Sequence, residues 1–222
     1  MKKETTCIHL VGLEGSGHHG VYPLIESFIR ELSDQDFCGR YPLQHVLDDF
    51  FCRKNINENT FLERIENFFL QNEEKVIFFD NSYPSQTFRG VNFQYDLVFI
   101  NKIFSKYSKV KFIHLQRNLL NCILSRKDID KGLIKHAQVI GPINRYVNDQ
   151  LSILKEHQSP ILNINYESIN IENLINFIGI NERNLTESKK IFSKIFRKST
   201  RDYKKELNES EINSILEIIN HK

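Results

Sequence analysis

The 222-residue sequence has no tryptophan, one methionine and only four cysteines, and it lacks the features that would mark a membrane-spanning or disulfide-built protein. Cys7, Cys38, Cys52 and Cys122 stand far apart with no CxxC spacing. That argues against a zinc knuckle or a disulfide framework and for reduced, buried thiols. No apolar run approaches the ~18 residues of a membrane span, and the charged start, Met1 to Thr6, leads into too short an apolar stretch for a signal peptide. A soluble, cytoplasmic protein is expected. Charge of one sign is lacking as well: 30 Lys and Arg against 28 Asp and Glu leave +2, too little net field to hold duplex nucleic acid. Any anion site must therefore be local. No repeat, low-complexity tract or Pro/Gly-rich linker divides the chain, so a single domain over residues 1–222 is expected.

What is present is enough for a core, with 40% hydrophobic residues and 17 Phe. Short β-rich runs fall at Cys7 to Val11, Lys75 to Phe79, Val110 to Leu115 and Pro160 to Ile164. Helix-period stretches separate or follow them: Val21 to Leu32, Asn59 to Gln71, Tyr95 to Tyr107, Leu119 to Lys127, Gly141 to His157, Ser168 to Ile178, Leu185 to Phe196 and Ser210 to Ile219. Strands alternating with helices predict an α/β fold, a central parallel sheet flanked by helices, with ligands at the carboxyl ends of the strands. The long connections Asp34 to Asn57 and Asn81 to Gln94 are candidate acceptor-binding loops.

Two turns carry chemistry. The first strand runs into Gly12-Leu13-Glu14-Gly15-Ser16-Gly17-His18-His19-Gly20 and then a helix. The Gly12 to Gly17 spacing is that of a P-loop, whose backbone N–H groups wrap a phosphate at a helix N-terminus. The Lys and the Mg²⁺-binding Ser/Thr of that loop are replaced by His18 and His19, which points to a phosphate-bearing donor used without metal. A ligand-free glycine turn is the competing reading. The histidine pair makes a poor metal site, because adjacent helical residues point ~100° apart. The second turn follows Val110 to Leu115, where Arg117 and, eight residues on, Ser125 are placed to close on one anion.

Together these turns resemble the sulfotransferases that use 3′-phosphoadenosine 5′-phosphosulfate (PAPS). Gly15-Ser16-Gly17-His18-His19 stands where that family has its 5′-phosphosulfate loop, and Arg117 with Ser125 matches its 3′-phosphate pair in type and spacing. Ile164-Asn165-Tyr166-Glu167-Ser168-Ile169 is similar to the family's Tyr-Glu-Asp-Leu strand end. Phe196-Arg197-Lys198 through Lys204 is similar to its carboxyl-terminal Arg-Lys-Gly loop. The resemblance implies sulfuryl transfer from PAPS to a hydroxyl or amine of a small-molecule or sugar acceptor, with PAP as product and no metal. It assigns donor binding to Gly15, Ser16, Gly17, His18, His19, Arg117, Ser125, Tyr166, Arg197 and Lys198.

The chain departs from the family at two places. Gly15 stands where Lys or Arg is usual, and no His follows the second sheet strand. His18 and His19 are candidates either to serve the bridging oxygen or to act as the base, and Asp80 is a further candidate base or else a turn cap before Pro84. His45 is a third candidate or a surface His, and His114 alternates within a strand and reads as packed. Tyr166 reads either as the adenine side of the site or as a core aromatic. Phe88, Phe93, Tyr95 and Tyr146 are candidates for an aromatic acceptor pocket. The alternatives are a divergent P-loop kinase or nucleotide triphosphatase, and a PAP-binding module without activity.

Overall fold

The computed structural model describes residues 4–84, 95–127 and 132–220. Five parallel strands, β1 (Thr6–Leu13), β2 (Phe37–Cys38), β3 (Val76–Tyr83), β4 (Lys109–Gln116) and β5 (Ile161–Asn165), form one sheet in the order β2-β3-β1-β4-β5. The expected strands are present, and the two-residue edge strand β2 is added; it is too short to leave a periodic trace. The chain first builds leftward from β1 and then crosses to its other side. This puts the reversal of strand order, where such sheets bind ligands, beside the carboxyl end of β1.

Helices cover both faces because the inner strands are apolar on both. Along β1, Cys7, Val11 and Leu13 face one core and Ile8 and Leu10 the other. The second core is closed by α1 (His18–Leu32), α7 (Ile171–Ile178) and α8 (Leu185–Ile195). The first is closed by α2 (Tyr41–Leu47), α3 (Glu58–Leu70), α4 (Leu97–Phe104), α5 (Leu119–Leu124), α6 (Leu133–Glu156) and α10 (Glu209–Asn220), with a short α9 (Tyr203–Glu206) before the last. Asparagine side chains cap α3, α5 and α7, Asn57 accepting from Thr60 N, Asn118 from Leu120 N and Asn121 N, and Asn170 from Asn173 N.

Three boundaries differ from the sequence reading. Helix α6 begins eight residues before Gly141 and passes through Gly141-Pro142, although both residues normally punctuate a helix. A Cβ at Gly141 would lie 3.1 Å from Ile219 Cα, so the glycine is there to let α10 approach. Helix α5 stops at Leu124, so Ser125 closes that helix rather than sitting inside it. Strand β3 runs on through Tyr83, which places Asp80 within the strand and not in the turn before Pro84. The connection 34–57 holds β2, α2 and a π-helical turn over Asp48–Cys52. All four cysteines are free; Cys7 and Cys122 are buried as expected, whereas Cys38 and Cys52 are only half-buried. Among the described residues no helix is long and apolar enough to cross a membrane.

Phe79 is fully buried, with its ring 4.1 Å from that of His9 and 6.1 Å from that of Phe104. Phe79→Ala is expected to destabilise the fold by about 3–5 kcal/mol, read as a lower urea midpoint at unchanged slope.

Candidate functional site

A cleft of about 1020 Å³ opens at the carboxyl end of the sheet, and most of the singled-out residues line it. Gly15, Gly17, His18, His19, Asp80, Arg117, Ser125, Tyr166 and Arg197 all reach its wall. Lys198 lines a neighbouring surface recess instead, held by Glu167 at 3.0 Å. Phe88 and Phe93 lie outside the described residues.

The floor of the cleft is the β1–α1 turn. Gly15, at φ +83°, packs directly on the end of α5, where a Cβ would fall 2.2 Å from Ser125 Oγ and 2.4 Å from the Cys122 carbonyl oxygen. That contact accounts for the missing cation: no side chain fits at this position. Gly17 caps α1 in the left-handed region, and the Tyr166 ring lies against it. No side chain caps α1 and no acidic residue stands in its first turn, so its free amides and partial positive charge remain for an anion.

Three buried polar atoms at or beside this turn have no hydrogen-bond partner among the described residues: Ser16 Oγ, His18 Nε2 and one guanidinium nitrogen (Nη2) of Arg117. The first two lie 2.8 and 2.9 Å from the point that a Cβ on Gly12 would occupy, so they stand side by side above the strand end. Arg117, its side chain only 3% exposed, comes from the end of β4, donates through Nη1 to the Gly15 carbonyl at 2.9 Å and through Nε to Glu167 at 3.3 Å, and stacks over Tyr166 at 4.9 Å. Ser125 Oγ donates to the Cys122 carbonyl at 2.7 Å. Both members of the Arg117/Ser125 pair thus meet the β1 turn at Gly15. The Tyr166 hydroxyl accepts from Ser199 N at 2.8 Å and donates to the Arg197 carbonyl at 3.4 Å, tying the 196–201 loop to the cleft. The Arg197 guanidinium donates to the Ser193 and Phe196 carbonyls and so finishes α8.

The two histidines part company. His19 is exposed on the rim, while His18 is buried with Nδ1 3.3 Å from Asp80 Oδ2. Arg40 Nη1 holds the other Asp80 oxygen at 3.0 Å, its guanidinium lying over Tyr22 at 4.8 Å and Tyr41 at 5.1 Å. Burial pushes the Asp80 carboxyl up, but the hydrogen bonds and charges of His18 and Arg40 outweigh it and hold the group below the usual carboxylate range. An ionised carboxylate only accepts, so Nδ1 of His18 carries a proton toward Asp80.

Arg40 was missed by the sequence reading. It precedes Tyr41-Pro42, a helix-start signal, but nothing in the chain announces that this helix packs beside β3. His45 is exposed on the rim, whereas His114 is buried against Asn163 at 3.1 Å and is held below the usual imidazole range by that burial. Tyr95 and Tyr146 are not on the cleft wall; the Tyr146 hydroxyl donates to the Tyr95 carbonyl at 3.3 Å behind it.

No family model and no curated protein matches the sequence. Among solved structures, the chain is similar to a mouse sulfotransferase complexed with PAP, with TM-score 0.53 and 12% identity over 96% of this chain and 83% of the other. The fold is that of a sulfotransferase. The sulfotransferase domain of the Synechococcus olefin synthase also matches, at TM-score 0.46 and 12% identity over 100% of this chain and 97% of that domain.

Because Gly15 has a positive φ and no room for a side chain, restoring the family's cation by Gly15→Lys is expected to destabilise the protein by about 2–4 kcal/mol. Denaturant unfolding checks this.

Proposed function

We propose that this chain is a sulfotransferase that moves a sulfuryl group from PAPS to the hydroxyl or amine of a small-molecule or sugar acceptor. The observation that carries the reading is that Ser16 Oγ, His18 Nε2 and one Arg117 guanidinium nitrogen are buried without a hydrogen-bond partner among the described residues, the first two in the β1–α1 turn and the start of α1 and the third on the arginine that bonds the Gly15 carbonyl of that turn. Buried polar groups are rarely left unpaired, and a polyanion is the occupant that satisfies the two donors, the Ser16 hydroxyl and the Arg117 N–H, leaving His18 Nε2 to take the acceptor's proton. The fold shared with a PAP-bound sulfotransferase supports the same occupant.

In this reading the α1 amides and Ser16 hold the 5′-phosphosulfate, and Arg117 with Ser125 holds the 3′-phosphate one strand over. Tyr166 and the 196–201 loop border the nucleoside. The acceptor gives its proton to His18 Nε2 as its oxygen or nitrogen bonds to sulfur, and the sulfur–oxygen bond to the 5′-phosphate breaks to release PAP. Asp80 is then a positioning residue rather than a base, since both its oxygens are engaged and it stays ionised. The Lys and the Ser/Thr of a nucleotide triphosphatase loop are absent, which weighs against a kinase.

PAP in the presence of a chelator is expected to raise the melting temperature, and ATP with Mg²⁺ to leave it unchanged; the reverse pattern overturns the reading. Arg117→Ala should weaken PAP binding by about 2–4 kcal/mol in calorimetry, the loss of a charge-assisted anion contact.

His18→Gln should lower turnover of PAPS by ~10²–10⁴-fold while changing PAP affinity only slightly, as for a group that acts on the proton in flight. Asp80→Asn should also lower turnover, because an amide no longer fixes the His18 tautomer. Equal losses in turnover and PAP binding would reduce His18 to a donor ligand.

A further inference from the structure

The sheet order divides the cleft. Arg117 follows β4 and Tyr166 follows β5, on one side of β1; Asp80 on β3 and the segment after β2 lie on the other. If the nucleotide occupies the first side, as the proposed function has it, the second is left for the acceptor. Its wall is built by Arg40, Gln44 and Asp48, spaced four residues apart at the head and along the length of α2 and therefore on one helical face.

The cleft contains three buried or nearly buried carboxylates, and they are not alike. Glu14 is matched by Arg126 at 3.1 Å, and Asp80 by Arg40 at 3.0 Å with His18 behind it. Asp48, only 2% exposed, has neutral partners: its Oδ1 accepts from Gln44 Nε2 at 3.3 Å, from Cys52 Sγ at 3.4 Å and from the Tyr95 hydroxyl in a short hydrogen bond. Among the described residues no Lys, Arg or His pairs with it. A carboxylate taken out of water without a counter-ion is costly, so the group that returns most free energy at this wall is a cation brought by the occupant. Asp48 also begins the π-helical turn Asp48–Cys52, a rare geometry that occurs often at functional sites.

We propose that Asp48 recognises an ammonium group on the acceptor, and hence that the acceptor is an amino alcohol or amino sugar whose hydroxyl faces His18 Nε2. The inference deepens the sulfotransferase reading and rests on it. The distance from the Arg40 end of α2 to Asp48 is about two helical turns, ~11 Å, which suits a compact acceptor of sugar or short amino-alcohol size.

The test is calorimetric binding of glucosamine, ethanolamine and tyramine, each beside its N-acetyl counterpart, to the PAP-saturated protein and to its Asp48→Asn variant. N-acetylation removes the charge and keeps the hydroxyl. At least one amine is expected to bind the wild type about tenfold or more tightly than its N-acetyl partner, the size of one charge-assisted contact. Asp48→Asn should abolish that preference while leaving the N-acetyl partner's affinity and the PAP-induced thermal shift unchanged. The proposal is overturned if no amine binds, if the wild type does not distinguish the members of any pair, or if the variant keeps the preference. An unfolded variant would leave the wild-type pairs as the deciding measurement. Absence of any PAP shift in the wild type would instead sink the sulfotransferase reading and this inference with it.

Discussion

Packing at the carboxyl end of β1 sets what the cleft contains. The turn from Gly12 to Gly17 is held between the ends of β3 and β4, with Gly12 opposite Ser82 and Leu115, and it presses on α5 and on Tyr166. At that proximity the loop carries no long side chain at Gly15, and in the proposed reading its contribution to an anion site is its backbone, Ser16 and the start of α1. Charged groups enter from elsewhere: Arg117 from β4, Arg40 from the head of α2 and His18 from the first residue of α1.

The second organising feature is how the cleft compensates its own charge. Arg40 and His18 hold Asp80 ionised, and Arg126 answers Glu14, so the two pairs cancel within the protein and rigidify the wall. Among the described residues the Arg117 guanidinium keeps one nitrogen without a partner, and Asp48 has only neutral partners. Arg117, which also meets Glu167 through Nε, offers its remaining nitrogen on the β4 side, and Asp48 stands on the α2 side. In the proposed reading this polarity sorts a polyanionic donor from a cationic acceptor across β1.

How much of this was legible in the chain depends on how local each feature is. β1, β3, β4 and β5 were visible as short β-rich runs, because inner strands of a parallel sheet are apolar on both faces. The glycine turn and the Arg117-to-Ser125 spacing were legible because both lie within a few residues of a strand end. Arg40 and Asp48 were not, since their importance comes from α2 packing beside β3, some forty residues away in the chain. The full length of α6 was hidden for the same reason: Gly141 reads as a breaker until Ile219 is seen against it.

The amino-acid sequence alone determined the α/β class, the phosphate-shaped turn and the candidate anion pair, because backbone propensity, hydrophobic period and motif spacing are short-range properties. Tertiary structure separated the two histidines, burying His18 beside Asp80 and leaving His19 at the rim. It also decided why Gly15 is a glycine and which carboxylate has only neutral partners among the described residues. Steric exclusion and charge compensation are relations between groups distant in sequence, and they exist only once the sheet has brought those groups together.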